Sequence, residues 1–203
     1  MITIQTLWIV RWTALGLIVL FAAGIGFIKF GPATYRHAST NDAPAGTIAI
    51  PEGAPIGGQF KLIDNKGHVV TDAEYRDRWM LIFFGYTNCP DECPLTLQKM
   101  ANALDALGPL ADRIAPLFIT VDPRRDTPSK LTEYLANFDT RIVGLTGSDA
   151  QIAAAAMSHS TFVYLVNPRG KLDALFSEDI DADVLAGTLR ARLSPQKQTG
   201  RPS

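Results

Sequence analysis

The sequence predicts an α/β domain, a mixed sheet with helices packed against it, set behind an apolar N-terminal segment. Three observations carry that prediction. Residues 79–86 (WMLIFFGY) and 114–121 are continuous apolar runs of strand length, the pattern of strands covered on both faces. Stretches with helical spacing alternate with those runs. Asp64-Asn65-Lys66-Gly67 and Asn167-Pro168-Arg169-Gly170 each lie between strand-like segments and read as hairpin turns.

In chain order, residues 12–28 form seventeen positions without a charge. With residues 7–10 and Phe30 they are long enough to cross a hydrocarbon core of ~30 Å. Arg11 and Lys29 lie near the edges, where long side chains snorkel, and Trp8, Trp12 and Phe30 fit interfacial positions. A cleaved signal peptide would carry a shorter apolar region and a small-x-small site, which KFGPATYRHAST lacks. Residues 1–31 therefore read as a single transmembrane anchor. Positive charges nearly tie across it and do not set its orientation. Residues 32–52, rich in Ala, Gly, Pro, Ser and Thr, read as a flexible tether, 53–194 as one globular domain and 195–203 as a polar tail.

Within the domain, 60–63 and 68–71 are predicted strands around the first turn, and 79–86 a central strand. Residues 95–107 form a helix through Leu97, Met100, Ala101, Leu104 and Leu107. Residues 114–121 are a buried strand, 128–138 a helix with proline at its start, 142–145 a strand and 149–157 a short helix. Residues 162–166 and 171–176 flank the second turn, and 181–193 close the domain as a helix. The order is ββαβαβ(α)ββα.

Composition narrows the function. At 47% hydrophobic and 19% charged, the 203-residue chain is too apolar for disorder. Nineteen Lys and Arg against twenty Asp and Glu give a net charge of -1 with no basic stripe, which excludes bulk electrostatic binding of nucleic acid. Two cysteines cannot build a disulfide scaffold, and three histidines leave few choices for a metal site.

Cys89 and Cys93 follow the 79–86 strand at the mouth of the next helix, where backbone N–H groups favour a thiolate. Either Pro90 opens the helix behind Cys89, or Pro94 opens it behind Cys93. Because a residue before proline is pushed from the α region, a bent loop is expected through Cys93. Two such thiols suit a soft cation such as Cu(I), and equally suit dithiol–disulfide cycling. Spacing alone does not choose between them. His37 lies in the tether and His68 beside a turn, both solvated positions, whereas His159 precedes a strand at a sheet end that can face the cysteines. Asp91 and Glu92, between the cysteines, read as solvated loop acids able to bias local charge. Arg124 and Arg125 beside Asp126 read as a solvated loop, which argues against a peroxide-reducing site.

These residues carry a family resemblance. FGYTNCPDECP (residues 84–94) resembles the signature of the Sco/SenC copper chaperones, and three further blocks agree in order: ITVDPRRDTPSKL (119–131), GLTG (144–147) and HSTFVYLVNPRGK (159–171). The resemblance implies a thioredoxin-like domain, tethered to the periplasmic face of the bacterial inner membrane. It implies copper delivery to the binuclear copper site of a cytochrome c oxidase subunit, without enzymatic turnover, with another copper chaperone as donor. It also implies that Cys89, Cys93 and His159 hold the copper, that the same cysteines form the redox disulfide, and that Asp122 lies around the site or on the partner surface; Asp91 is placed there too, by its position between the cysteines. The chain departs from the family pattern in two places: Ser158 stands where an aspartate is usual, and only SDAQIAAAAMS separates GLTG from His159, shorter by on the order of twenty residues. The alternative is a thiol-disulfide oxidoreductase acting on cysteines of the oxidase or of another periplasmic target.

Overall fold

The computed structural model describes residues 46–48, 59–155 and 162–194. The predicted anchor, most of the tether, His37, His159 and the polar tail lie outside the described residues. No helix among the described residues is long and apolar enough to cross a membrane. All described residues fall in the second of two compact units, Met1–Asn41 and Asp42–Ser203.

Among the described residues eight strands form one sheet: β1 (Thr47–Ile48), β2 (Lys61–Asp64), β3 (Val69–Thr71), β4 (Trp79–Gly85), β5 (Ile114–Thr120), β6 (Val143–Thr146), β7 (Val163–Val166) and β8 (Leu172–Phe176). Their spatial order is β1-β8-β7-β4-β5-β6-β2-β3. The helices are α1 (Glu92–Leu107), α2 (Pro128–Leu135), α3 (Asp149–Ala155) and α4 (Ala182–Leu193). The predicted order of elements holds. It gains two 3-10 turns, Asp72–Tyr75 and Gly108–Arg113, and the short β1, which pairs antiparallel with β8 from within the segment read as tether.

The apolar runs are central strands because both sheet faces are covered. Leu81 and Phe83 of β4 pack with Leu97, Met100, Leu104, Leu131, Leu185 and Leu189 of the helices on one face. Met80, Ile82 and Phe84 face the other side with Leu117, Ile119, Ile152 and Tyr164. Pro116 sits in β5 just before pairing with β6 begins at Leu117, a stretch with one neighbouring strand, so its missing N–H is tolerated. Both hairpins form on the predicted turns: Asp64 N donates to His68 O (2.8 Å) and Asn167 N to Lys171 O (2.8 Å). The glycines that end them, Gly67 and Gly170, have φ of 89° and 76°, a region that favours glycine.

Two boundaries differ for stated reasons. α2 stops at Leu135 because the Asn137 side chain takes the carbonyls of Glu133 (3.2 Å) and Tyr134 (3.0 Å), which turns the chain before Phe138. α1 begins at Glu92, with Asp91 as cap, so neither predicted start is correct and Cys93 lies inside the first turn rather than in a bent loop. Pro94 is the third helical residue, where no intrahelical partner exists for an N–H, so proline costs no hydrogen bond there.

β5 and β6 run parallel to β4, and β7 runs antiparallel to it. The loops leaving β4 and β5 and the chain entering β7 therefore gather at one edge of the sheet. Gly85 pairs with Thr120, and Val163 lies opposite Phe83.

Candidate metal centre

The dithiol is built where β4 ends. Gly85 leaves no room for a side chain: a Cβ there would sit 2.9 Å from Cys93 Sγ and 2.8 Å from Phe118 Cε2. Cys89 N donates to Tyr86 O (3.2 Å), a turn that lifts Cys89 out of the strand, and Leu95 N donates to Asp91 O (3.3 Å) as α1 begins. Cys93 N points back at Cys89 Sγ (3.4 Å), so the loop before α1 lays Cys89 against the first turn of the helix, beside Cys93. Both are free thiols, Cys89 partly exposed and Cys93 only 5% exposed.

Their environments separate them. Burial is the largest influence on Cys89 and pushes its pKa up, but donors outweigh it: the Cys93 thiol and the backbone amides of Cys93, Asp91 and Glu92 hold it below the ordinary thiol range. Burial pushes Cys93 up to about 12. The Tyr86 amide opposes that rise, while its hydrogen bond to Cys89 and the charges of Cys89 and Asp126 add to it. Tyr86 and Tyr134 are both raised, Tyr86 chiefly by the Cys89 charge and Tyr134 by burial and then the two cysteines.

Asp91 and Glu92 are exposed, as expected of solvated acids, but they belong to the helix start and not to a loop; their amides, more than their carboxylates, act on Cys89. Asp122 lies past the end of β5, at the dithiol edge of the sheet, and pairs with Arg125. Its own amide donates to Thr120 Oγ1 (2.9 Å). Arg124 is exposed and paired with Asp149 (2.7 Å). His68 is solvated beside Asp64, as predicted. Among the described residues no third His, Cys, Asp or Glu joins the cysteines in a metal-binding cluster.

Arg124 and Arg125 are solvated, as read, but Asp126 beside them is not. It is 1% exposed. Its carboxylate accepts Thr87 N (3.0 Å), Thr87 Oγ1 (2.6 Å) and Thr120 Oγ1 (2.6 Å), tying the loop before Cys89 to the end of β5. Nothing local in RRDTP separates a buried aspartate from a solvated one, because its three donors come from Thr87 and Thr120, on other elements.

A thioredoxin-like sheet with two free cysteines where its central strand meets a helix defines a dithiol protein, able to cycle its thiols or take a soft metal. The chain belongs to the SCO1/SenC family, whose model matches residues 49–158. It is 37% identical over 181 residues to Protein sco1 of Schizosaccharomyces pombe, covering 78% of this chain and 68% of that one. It is 30% identical over 203 residues to the mitochondrial Protein SCO2 homolog of Mus musculus, covering 90% and 79%. Among solved structures it is similar to Bradyrhizobium japonicum ScoI with copper bound, at 34% identity and TM-score 0.61, over 67% of this chain and 98% of that one. Yeast Sco1 with copper bound matches at 32% identity and TM-score 0.66, over 72% and 96%.

Proposed function

We propose that this chain is a copper-binding assembly factor that carries copper to the binuclear copper site of cytochrome c oxidase, with Cys89, Cys93 and His159 as its ligands. The reading rests above all on the paired free thiols at the start of α1. The copper-bound relatives at 34% and 32% identity support it. Two neighbouring sulfurs suit a soft monovalent ion, and an imidazole supplies a third donor that serves either copper oxidation state. His159 lies four residues before Val163, a reach of up to about 14 Å from a strand that starts at the dithiol edge. In this reading residues 1–31 anchor the chain in the bacterial inner membrane with the domain in the periplasm, and another copper chaperone is the donor.

The two cysteines divide the work. Cys89, partly exposed and held toward its thiolate, meets incoming copper first and is the first sulfur that acceptor thiols can displace. Cys93, buried and holding its proton, closes the site once the metal displaces that proton. Asp122 and the exposed Leu95 (56%) near the dithiol supply polar and apolar contacts for a partner.

The contrast between the thiols favours one second reading, a thiol-disulfide reductase. Cys89 thiolate attacks a target disulfide and releases one target thiolate; Cys93 then attacks the Cys89 sulfur and releases the second. The target gains two electrons and two protons, and Cys89–Cys93 becomes the disulfide.

The deciding experiment is a Cu(I) titration of the reduced full-length chain, with mass spectrometry for stoichiometry, on the wild type, Cys89→Ser and His159→Ala. One tight copper per chain, lost with Cys89→Ser and weakened by His159→Ala, supports the three-ligand site. Tight binding indifferent to His159→Ala removes that ligand. No tight copper refutes the carrier reading and leaves the reductase.

A further inference from the structure

Asp126 is the most buried charged side chain among the described residues, and none of their ion pairs includes it. A buried charge without a counter-charge is costly, and three donated hydrogen bonds offset only part of that cost. An uncharged side chain would close the gap between Thr87 and Thr120 at less expense. The charge itself therefore calls for a physical reason.

The network leads to the sulfurs. Thr87 donates twice to Asp126, from its N–H and from its hydroxyl. Tyr86, the residue before it, aims its amide at Cys93 and accepts Cys89 N through its carbonyl. On the other side, Asp126 N and Arg125 N both donate to Asp122 O (3.0 and 3.1 Å), and Val121 N donates to Gly85 O (2.8 Å). One carboxylate thus links the loops leaving β4 and β5. Thr87 lies two residues before Cys89, so the carboxylate it holds sits one short turn from the dithiol.

We propose that Asp126 is a positioning residue of the metal centre: through Thr87 it holds the cysteine loop, and its standing negative charge favours a cation on Cys89 and Cys93. This rests on the reading of the cysteines as copper ligands. It adds an assignment for a residue that touches neither sulfur and would bind no metal.

The test separates charge from geometry. Asp126→Asn can keep its carbonyl on Thr87 N and Thr120 Oγ1 and turn its amide to Thr87 Oγ1, so the contacts survive while the charge is lost. Partners that hold metal ligands typically contribute 10–100-fold in affinity. On the reduced full-length chain, competition for Cu(I) against a chromophoric chelator should show Asp126→Asn binding at least about tenfold more weakly, with a melting temperature no lower than that of wild type. Because Asp126→Asn keeps the contacts to Thr87 and Thr120, a merely structural role would leave Cu(I) affinity in place.

Cu(I) affinity of Asp126→Asn within twofold of wild type would overturn the proposal while leaving the carrier reading intact. If wild type itself takes up no copper, the carrier reading fails and this proposal with it. If Asp126→Asn does not fold, Thr87→Val keeps the charge and removes one donor to it. That variant should weaken Cu(I) binding several-fold, and unchanged binding there would overturn the positioning role.

Discussion

Replacing Gly85 by alanine puts a methyl group where the structure has none to spare. The new Cβ would lie 2.8 Å from Phe118 Cε2, 2.9 Å from Cys93 Sγ and 3.3 Å from Phe118 Cζ. Ordinary contacts between such atoms are about 3.5–4.0 Å, so the two closest are short by roughly 0.6–1.2 Å. Phe118 is fully buried between Phe83 and Tyr134, with ring centroids 6.0 Å away on each side, and cannot swing clear. Gly85 itself is held by its pairing with Thr120 and by Val121 N. Cys93 has one side-chain torsion and yields first, which carries its sulfur away from Cys89. Overpacking of this kind costs about 1–3 kcal/mol. For a domain of this size, about 2 kcal/mol lowers the melting temperature by about 4–8 °C. Thermal unfolding and Cu(I) competition on the full-length variant should therefore both fall. Gly187→Ala is the control: Gly187 is exposed on α4 with nothing within 4 Å, so alanine there should stabilise by about 0.5–1 kcal/mol. A Gly85→Ala protein with wild-type melting temperature and wild-type copper affinity would refute the packing argument.

The other predictions concern the thiols. Under limiting iodoacetamide near neutral pH, Cys89 should be modified well before Cys93, because it is more exposed and its thiolate is favoured; peptide mass mapping showing equal rates would contradict the assigned environments. Copper affinity should rise with pH between about 6 and 8, by roughly tenfold per unit for each proton displaced, since Cys93 keeps its proton until the metal takes its place. A flat affinity across that range would mean that Cys93 is not a ligand. The raised thiol also bears on stability. Its folded pKa of about 12 lies above the ordinary 9.0, so its contribution is complete below about pH 9 and is lost as pH climbs toward 12. Denaturant midpoints of metal-free protein should fall more steeply above pH 9 in wild type than in Cys93→Ser.

Most of the domain was legible along the chain because its elements are local. A strand covered on both faces must be apolar at successive positions, so 79–86 and 114–121 announced β4 and β5 to within a residue. Turn residues announced both hairpins, and Cys89 and Cys93 stood out by their place between strand and helix. Other features depend on partners distant in sequence. The helix start at Asp91 overrode the preference of the residue before Pro94, because placing Cys93 in the first turn buries its side chain against the core. β1 forms because β8 offers it an edge, which the composition of 32–52 does not reveal.

Asp126 marks the same division at the site. Residue types and spacing along the chain established two reactive thiols at a helix mouth, since their order and neighbours are enough to specify that chemistry. The chain could not reveal that an aspartate 33 positions beyond Cys93 would be buried, gripped by threonines from two other segments, and close enough to act on that thiol. That outcome belongs to the fold, because burial and charge act through distance in space. The parallel pairing of β4 with β5 is what sets Thr87, Thr120 and Asp126 at one edge of the sheet.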